Sequence, residues 1–364
     1  MWSPLTEDYK PPVLLFRDEH LKRMLELTTF PIPANIWVQG DKGLGKTLTA
    51  RFLSAEIEAR RIGKCYYVEC QKTFTATLKE LRDNYKFKIP TYVLSPATIT
   101  RKIVEQTEKD DLVCLIFDEP RKAMQIKDFD NGLYWFYNSF LGKRKLSIII
   151  LSQIRFPVIH RIFASDTLSR MRFKPILFEN YDVPQIVEIL KQRLQIMLDP
   201  NQYELKAIVR LARHIRRIGG DIREALDLLA TAIKHAEKKV DVEAVEYAIE
   251  WGKTRWWKNE LTSLPPHWAY ILYLTAEQSV QHSEGITTQS QVKTEYEKKA
   301  KEIGFQPVGR RSIYYIFNKL AEKGYFEQQK AGAGRQIHTI LAMDEGDRRH
   351  ILKAGKEMEW DLIL

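Results

Sequence analysis

Cysteine is scarce in this chain, with only Cys65, Cys70 and Cys114 among 364 residues. Their spacing fits no metal-ligand pattern and is too sparse for a disulfide framework. Cys65 and Cys114 lie in apolar, strand-like runs, so buried thiols in a reducing compartment are expected. No apolar run approaches the roughly 20 residues that span a bilayer. The opening Met1-Trp2-Ser3-Pro4-Leu5-Thr6-Glu7-Asp8 lacks the pattern of a signal peptide. Internal repeats and low-complexity stretches are also missing. These absences exclude a secreted disulfide scaffold, a helical membrane protein and a solenoid, and a cytoplasmic protein is expected. The length suggests two or three domains with ample core. A composition of 44% hydrophobic and 29% charged residues is that of an ordinary soluble protein. The net charge of +10 suits a polyanionic partner without specifying one.

What is present centres on Gly40-Asp41-Lys42-Gly43-Leu44-Gly45-Lys46-Thr47. It follows an apolar run, Ile36-Trp37-Val38, and opens a helical pattern from Leu48 to Arg60. That strand–loop–helix context marks a phosphate-binding loop. Glycines let backbone N–H groups close around an anion, and the helix adds its positive end. Lys46 is expected at the β- and γ-phosphates of ATP or ADP, and Thr47 on Mg²⁺. The bland alternative is a glycine-rich turn that merely caps a helix.

Asp111 to Phe117 is a continuous apolar run ending in Asp118-Glu119. Such a run reads as a strand buried on both faces, hence in a parallel sheet. Acids at its C-terminal end sit where open α/β sheets place ligands. Asp118 is expected to hold Mg²⁺ through water, and Glu119 to activate the attacking water. A third apolar strand, Leu146 to Leu151, ends in Ser152-Gln153, which could touch the γ-phosphate. Ser165 to Arg172 reads as a loop, and Ile176 to Phe178 as a last strand. Residues 1–179 thus alternate strands and helices in a doubly wound parallel α/β unit.

From Asn180 the pattern turns helical, at Val183–Met197, Tyr203–Ile215, Asp221–Glu237 and Val242–Trp251. A small helical domain is expected over 180–255. Gly219-Gly220 breaks the chain, Asp221 caps a helix and Arg223 projects from its first turn, either as a surface arginine or reaching back to the phosphates. After Leu264-Pro265 come three helical patterns, two strands and the turn Lys330-Ala331-Gly332-Ala333-Gly334-Arg335. Three helices and a hairpin make a winged helix-turn-helix over 262–345, leaving 346–364 as a tail. In the third helix Ile313, Ile316, Phe317 and Leu320 share the core face. Arg310, Arg311, Ser312, Tyr315 and Lys319 lie on the other. Basic residues outnumber acidic ones, six to two, between Arg310 and Arg335. That excess suits phosphates and the helix suits a major groove, with Gly334 and Arg335 at the wing tip.

The ordered set of these parts resembles the archaeal replication initiators related to origin recognition and cell-division-cycle ATPases, within the AAA+ superfamily. Its carriers are Arg17-Asp18-Glu19, Gly40 to Thr47, Asp118-Glu119, Phe178-Glu179-Asn180-Tyr181, Ile189-Leu190 with Arg193, Gly220 to Leu226, and Leu264-Pro265. The resemblance implies an AAA+ base, a helical lid and a winged-helix domain. It implies that Arg17, Tyr181 and Arg193 belong to the nucleotide site, and that Arg170 is an arginine finger reaching a neighbour's ATP. It places a DNA-contacting insertion within Lys72–Lys88, with Lys72 and Lys79 as contacts. The partners implied are double-stranded origin DNA, other initiator copies or paralogues, and the replicative helicase, in a nucleoid setting. Gln153 stands where that family has Asn, and Pro120-Arg121 follow the paired acids where it has an apolar residue and Asp. Both departures bear on hydrolysis and leave binding intact.

Two other classes fit parts of the chain. One is an assembly ATPase of the clamp-loader or transposition-helper type, against which the basic third helix argues. The other is a signalling ATPase whose winged helix binds protein.

Overall fold

The computed structural model describes residues 4–6, 9–29, 32–90, 95–120, 127–140, 145–280, 286–331 and 338–363. Arg121, Gly334 and Arg335 lie outside them. The chain forms two compact units, Met1–Val245 and Glu246–Leu364.

The first unit runs α1 (Asp18–Thr29), β1 (Ile36–Gln39), α2 (Lys46–Ala59), β2 (Lys64–Glu69), α3 (Phe74–Asn84) and α4 (Pro96–Gln106). It continues through β3 (Leu112–Asp118), α5 (Lys127–Phe140), β4 (Lys145–Ser152), α6 (Ser165–Met171) and β5 (Lys174–Leu177). The five strands form one parallel sheet in the order β2-β3-β4-β1-β5. All seven residues of β3 are buried, as a strand covered on both faces requires. Trp37 packs with Phe74, Phe117, Phe129 and Phe136 on one face of the sheet, while its neighbours Ile36 and Val38, also buried, alternate to the other. Cys65 and Cys114 are register partners on β2 and β3, and all three cysteines are buried free thiols.

The lid follows as α7 (Val183–Leu194), α8 (Leu205–Arg217) and α9 (Ile222–His235). Asp182 and Gln185 form a capping box at the start of α7, and Asp221 accepts the Arg223 N–H at the start of α9. Next is α10 (Val242–Ser263), which the sequence pattern ends near Trp251 but which runs on unbroken through the division between the units.

The second unit holds α11 (Pro266–Val280), β6 (Ile286–Thr288), α12 (Gln289–Ile303), α13 (Arg310–Glu322), β7 (Glu327–Ala331), β8 (His338–Ala342), α14 (Glu345–Lys356) and α15 (Trp360–Ile363). Its antiparallel sheet has the order β6-β8-β7. Tyr270, Tyr296, Phe317 and Leu341 are core residues.

Three sequence expectations need correction. Ser165 to Met171 is a helix, because Thr167 and Met171, four apart, both bury. Helix α5 was not anticipated, although Phe129, Leu133, Phe136 and Phe140 fall on one buried face. The segment from 346 onward is no tail: Ile351, Ala354 and Trp360 are core residues of the second unit. Among the described residues no helix is long and apolar enough to cross a membrane.

Candidate nucleotide site and nucleic-acid face

The loop between β1 and α2 takes the shape its glycines allow. Gly43 and Gly45 have φ of +69° and +83°, a region costly for residues with a Cβ. Lys46 is buried, and its Nζ donates to the carbonyls of Gly40 at 2.8 Å and Asp41 at 2.6 Å. Burial pushes its ammonium below the usual lysine range, while Asp118 and Glu119 pull it back up. Arg223 adds a second positive charge nearby.

The loop opens onto a cavity of about 290 Å³. Gly43, Leu44, Gly45, Lys46 and Thr47 line it, together with Asp118, Glu119, Arg193 and Arg223. Residues of base and lid therefore both line it. Thr47 Oγ1 donates to Asp118 Oδ2 at 2.6 Å. Glu119 has φ of +48°, and its Oε1 accepts from Gln153 Nε2 at 3.2 Å. The acid and the residue at the end of β4 are thus joined.

Arg17 and Tyr181 occupy a different place from the one implied. They stand behind the loop, outside the cavity lining. Arg17 Nε donates to the Leu44 carbonyl and to Tyr181 Oη, both at 3.1 Å, and its Nη2 to the Glu179 carbonyl at 2.7 Å. Tyr181 Oη donates to the same Leu44 carbonyl at 3.2 Å. The pair braces the loop because a carbonyl has two lone pairs to offer. Gly40 likewise lies outside the lining, its carbonyl turned to Lys46.

The lining residues not read as site residues from the sequence include Thr6, Tyr9, Arg51, Tyr67 and Glu69. The alternation of β2 sends Tyr67 and Glu69 to one face, which is the signal that could have found them. Thr6 and Tyr9 belong to no periodic segment. Arg193 lies with its guanidinium 4.9 Å from the Tyr9 ring centre.

The donor set fits a metal-bound nucleotide. Asp118 Oδ1 and the Nε and Nη1 of Arg193 are buried with no protein partner among the described residues. A hard oxygen set at Thr47 and Asp118 suits Mg²⁺, and the cations Lys46, Arg193 and Arg223 suit phosphates.

Outside this cavity, Arg170 is exposed on α6, Lys72 is exposed just before α3, and Lys79 is half-buried within it. In the second unit, α13 buries Ile313, Ile316, Phe317 and Leu320. It exposes Arg310, Arg311, Ser312 and Tyr315. Lys319 is half-buried and pairs with Glu322 at 2.6 Å. A cleft of about 430 Å³ lies beside Arg311, Ser312 and Tyr315, floored by Trp268 and Ile316.

Fold and site define an AAA+-type nucleotide-binding base with a helical lid. A sequence profile for the Cdc6 AAA+ ATPase-type lid domain matches residues 187–251. The chain is 29% identical to ORC1-type DNA replication protein 1 of Sulfurisphaera tokodaii, covering 98% of this chain and 92% of that protein. It is 26% identical to the protein of the same description from Archaeoglobus fulgidus, covering 97% and 89%. The fold matches the Aeropyrum pernix ORC1 protein, solved in complex with DNA, with a TM-score of 0.69 at 21% identity, covering 98% and 96%. The lid segment matches the Cdc6-type lid, and over nearly its whole length the chain is similar to archaeal ORC1-type DNA replication proteins.

Proposed function

We propose that this protein is an ATP-dependent, DNA-binding replication initiator. The observation that carries the reading is the split of α13 into a buried apolar face and an exposed face bearing Arg310, Arg311, Ser312 and Tyr315. Joined to a nucleotide cavity in the same chain, it describes a protein that reads DNA under nucleotide control. The helix order α11, α12, α13 and the β7–β8 hairpin form the winged helix over 262–345, and Gly334 and Arg335 are the wing's contacts. The replication role of the named relatives, and the DNA in the Aeropyrum pernix complex, support the assignment.

Thr47 and Asp118 would hold Mg²⁺, which supplies charge neutralisation at the phosphates. Lys46, Arg193 and Arg223 bind the phosphates of ATP or ADP from the base and lid sides. Glu119 accepts the proton of the attacking water. The Gln153 amide engages the Glu119 carboxylate, so hydrolysis is slow and the protein works as a switch. Arg170 serves a neighbouring copy's ATP. Lys72 and Lys79 add DNA contacts from the base, and the helicase is recruited downstream. A clamp-loader or transposition-helper ATPase would have no use for a base-reading α13.

Footprinting on the organism's own intergenic DNA tests the reading. A protected repeat, sharper with ATP than with ADP, is the expected result. Uniform, sequence-blind protection would transfer the protein to the assembly ATPases.

A further inference from the structure

The carboxylate of Asp118 is held by a residue that belongs to none of the motifs above. Tyr67 Oη donates to Asp118 Oδ2 at 2.8 Å, and Thr47 Oγ1 donates to the same oxygen at 2.6 Å. Asp118 Oδ1 is left buried and unpartnered among the described residues. A carboxylate is free to turn about its Cβ–Cγ bond. Two donors on one oxygen fix that torsion and leave the other oxygen for a ligand.

The two donors are not equivalent. The Thr47 hydroxyl has a second duty, because its lone pairs are what a cation would take. Tyr67 has one duty only. Its backbone N–H donates to Tyr85 Oη, and the Arg51 guanidinium lies 6.0 Å from its ring centre. An ordinary phenol loses its proton only near pH ~10, so Tyr67 is a donor throughout the physiological range.

We infer that Tyr67 is a positioning residue for the divalent cation, fixing the Asp118 carboxylate through Oδ2 and leaving Oδ1 without a protein partner among the described residues. This rests on the reading of Thr47 and Asp118 as the Mg²⁺ residues. Partners of this kind around metal ligands typically affect metal affinity by about 10–100-fold.

The test is a titration of the full chain with a fluorescent ADP analogue, in EDTA and across a Mg²⁺ series. Tyr67→Phe keeps the ring and removes the donor. It should raise the Mg²⁺ needed for half-maximal binding by about 10-fold or more. Any loss of affinity in EDTA should be smaller than the loss across the Mg²⁺ series. In an Asp118→Asn background, Tyr67→Phe should add no further shift, since the shared term is already gone. An unchanged Mg²⁺ requirement overturns the inference, as does a loss of affinity that is equal in EDTA and in Mg²⁺. A wild-type chain that binds nucleotide without any response to Mg²⁺ overturns it too, and leaves the nucleotide site standing. A wild-type chain that binds no nucleotide overturns the parent reading.

Discussion

A Cβ placed on Gly43 would stand 1.8 Å from Asp221 Oδ1. The phosphate loop and the start of α9 therefore meet where a methyl group has no room. Asp221 uses that oxygen to accept the Arg223 N–H at 2.8 Å. Gly43→Ala must strain a backbone at φ +69° and displace that cap. The expected cost is ~1–3 kcal/mol, read as a lower melting temperature, with weaker nucleotide binding as Arg223 shifts. A variant with wild-type melting and affinity would mean the lid yields freely at this point.

Glu119→Gln keeps the size of the side chain and removes the base. On the proposed reading binding rests on Lys46, Thr47, Asp118, Arg193 and Arg223, none of which is changed, so affinity should be retained. Hydrolysis should fall by roughly 10²–10⁴-fold, the range a positioned general base supplies. Single-turnover ATPase measurements decide it. Hydrolysis at the wild-type rate would remove Glu119 from the chemistry.

Arg311→Ala addresses the DNA face. A base-reading arginine lost from α13 should cost ~1–3 kcal/mol and relax specificity at one position. If Arg311 only meets a phosphate, all sequences weaken alike and the salt slope drops by about 1. Salt titrations against a specific and a scrambled duplex separate these outcomes. Unaltered affinity on both duplexes would favour a protein-binding winged helix.

Stability should fall in acid through His350. The ring is buried; its Nδ1 lies 3.1 Å from Thr254 Oγ1 and its Nε2 lies 3.3 Å from Glu250. Burial, as the largest cause, lowers its pKa from the ordinary 6.5, with Glu250 and Asp347 opposing and Lys253 and Arg349 assisting. The unfolded chain then binds the proton more readily than the folded one. Stability is full above the ordinary value and declines as pH drops through it. His267, whose pKa burial also lowers, contributes with the same sign. Denaturant unfolding of the full chain at about pH 7.5 and about pH 5.5 should show the loss, and His350→Gln should reduce it. A stability independent of pH over that interval would contradict the assignment.

The proposed phosphate loop and paired acids were legible because each sits at a boundary that the sequence marks. Gly40 to Thr47 follows an apolar run and opens a helix, and Asp118 closes another apolar run. The apolar face of α13 was equally plain from its spacing. Residues that act from the middle of an element were not. Tyr67 lies within β2, and nothing in its neighbours announces that its hydroxyl meets Asp118, 51 residues away. Arg17 was marked by resemblance, but its job of bracing the Leu44 carbonyl depends on Tyr181, 164 residues on. The last two helices were missed for a related reason. Their buried residues, Ile351, Ala354 and Trp360, complete a core assembled from α11 to β8, so the need for them is visible only in three dimensions.

The position of β1 governs when this chain can fold during its own synthesis. β1 is the first strand made, yet its two neighbours, β4 and β5, begin only at Lys145 and Lys174. Trp37 and Val38, fully buried at the end, have no sheet partners until then. Contacts so distant in sequence make closure late and slow. The nascent sheet therefore carries an open, apolar edge while more than half of the first unit is translated, a window in which chaperone protection matters most. Any fragment that stops before β5 leaves that edge exposed and should aggregate.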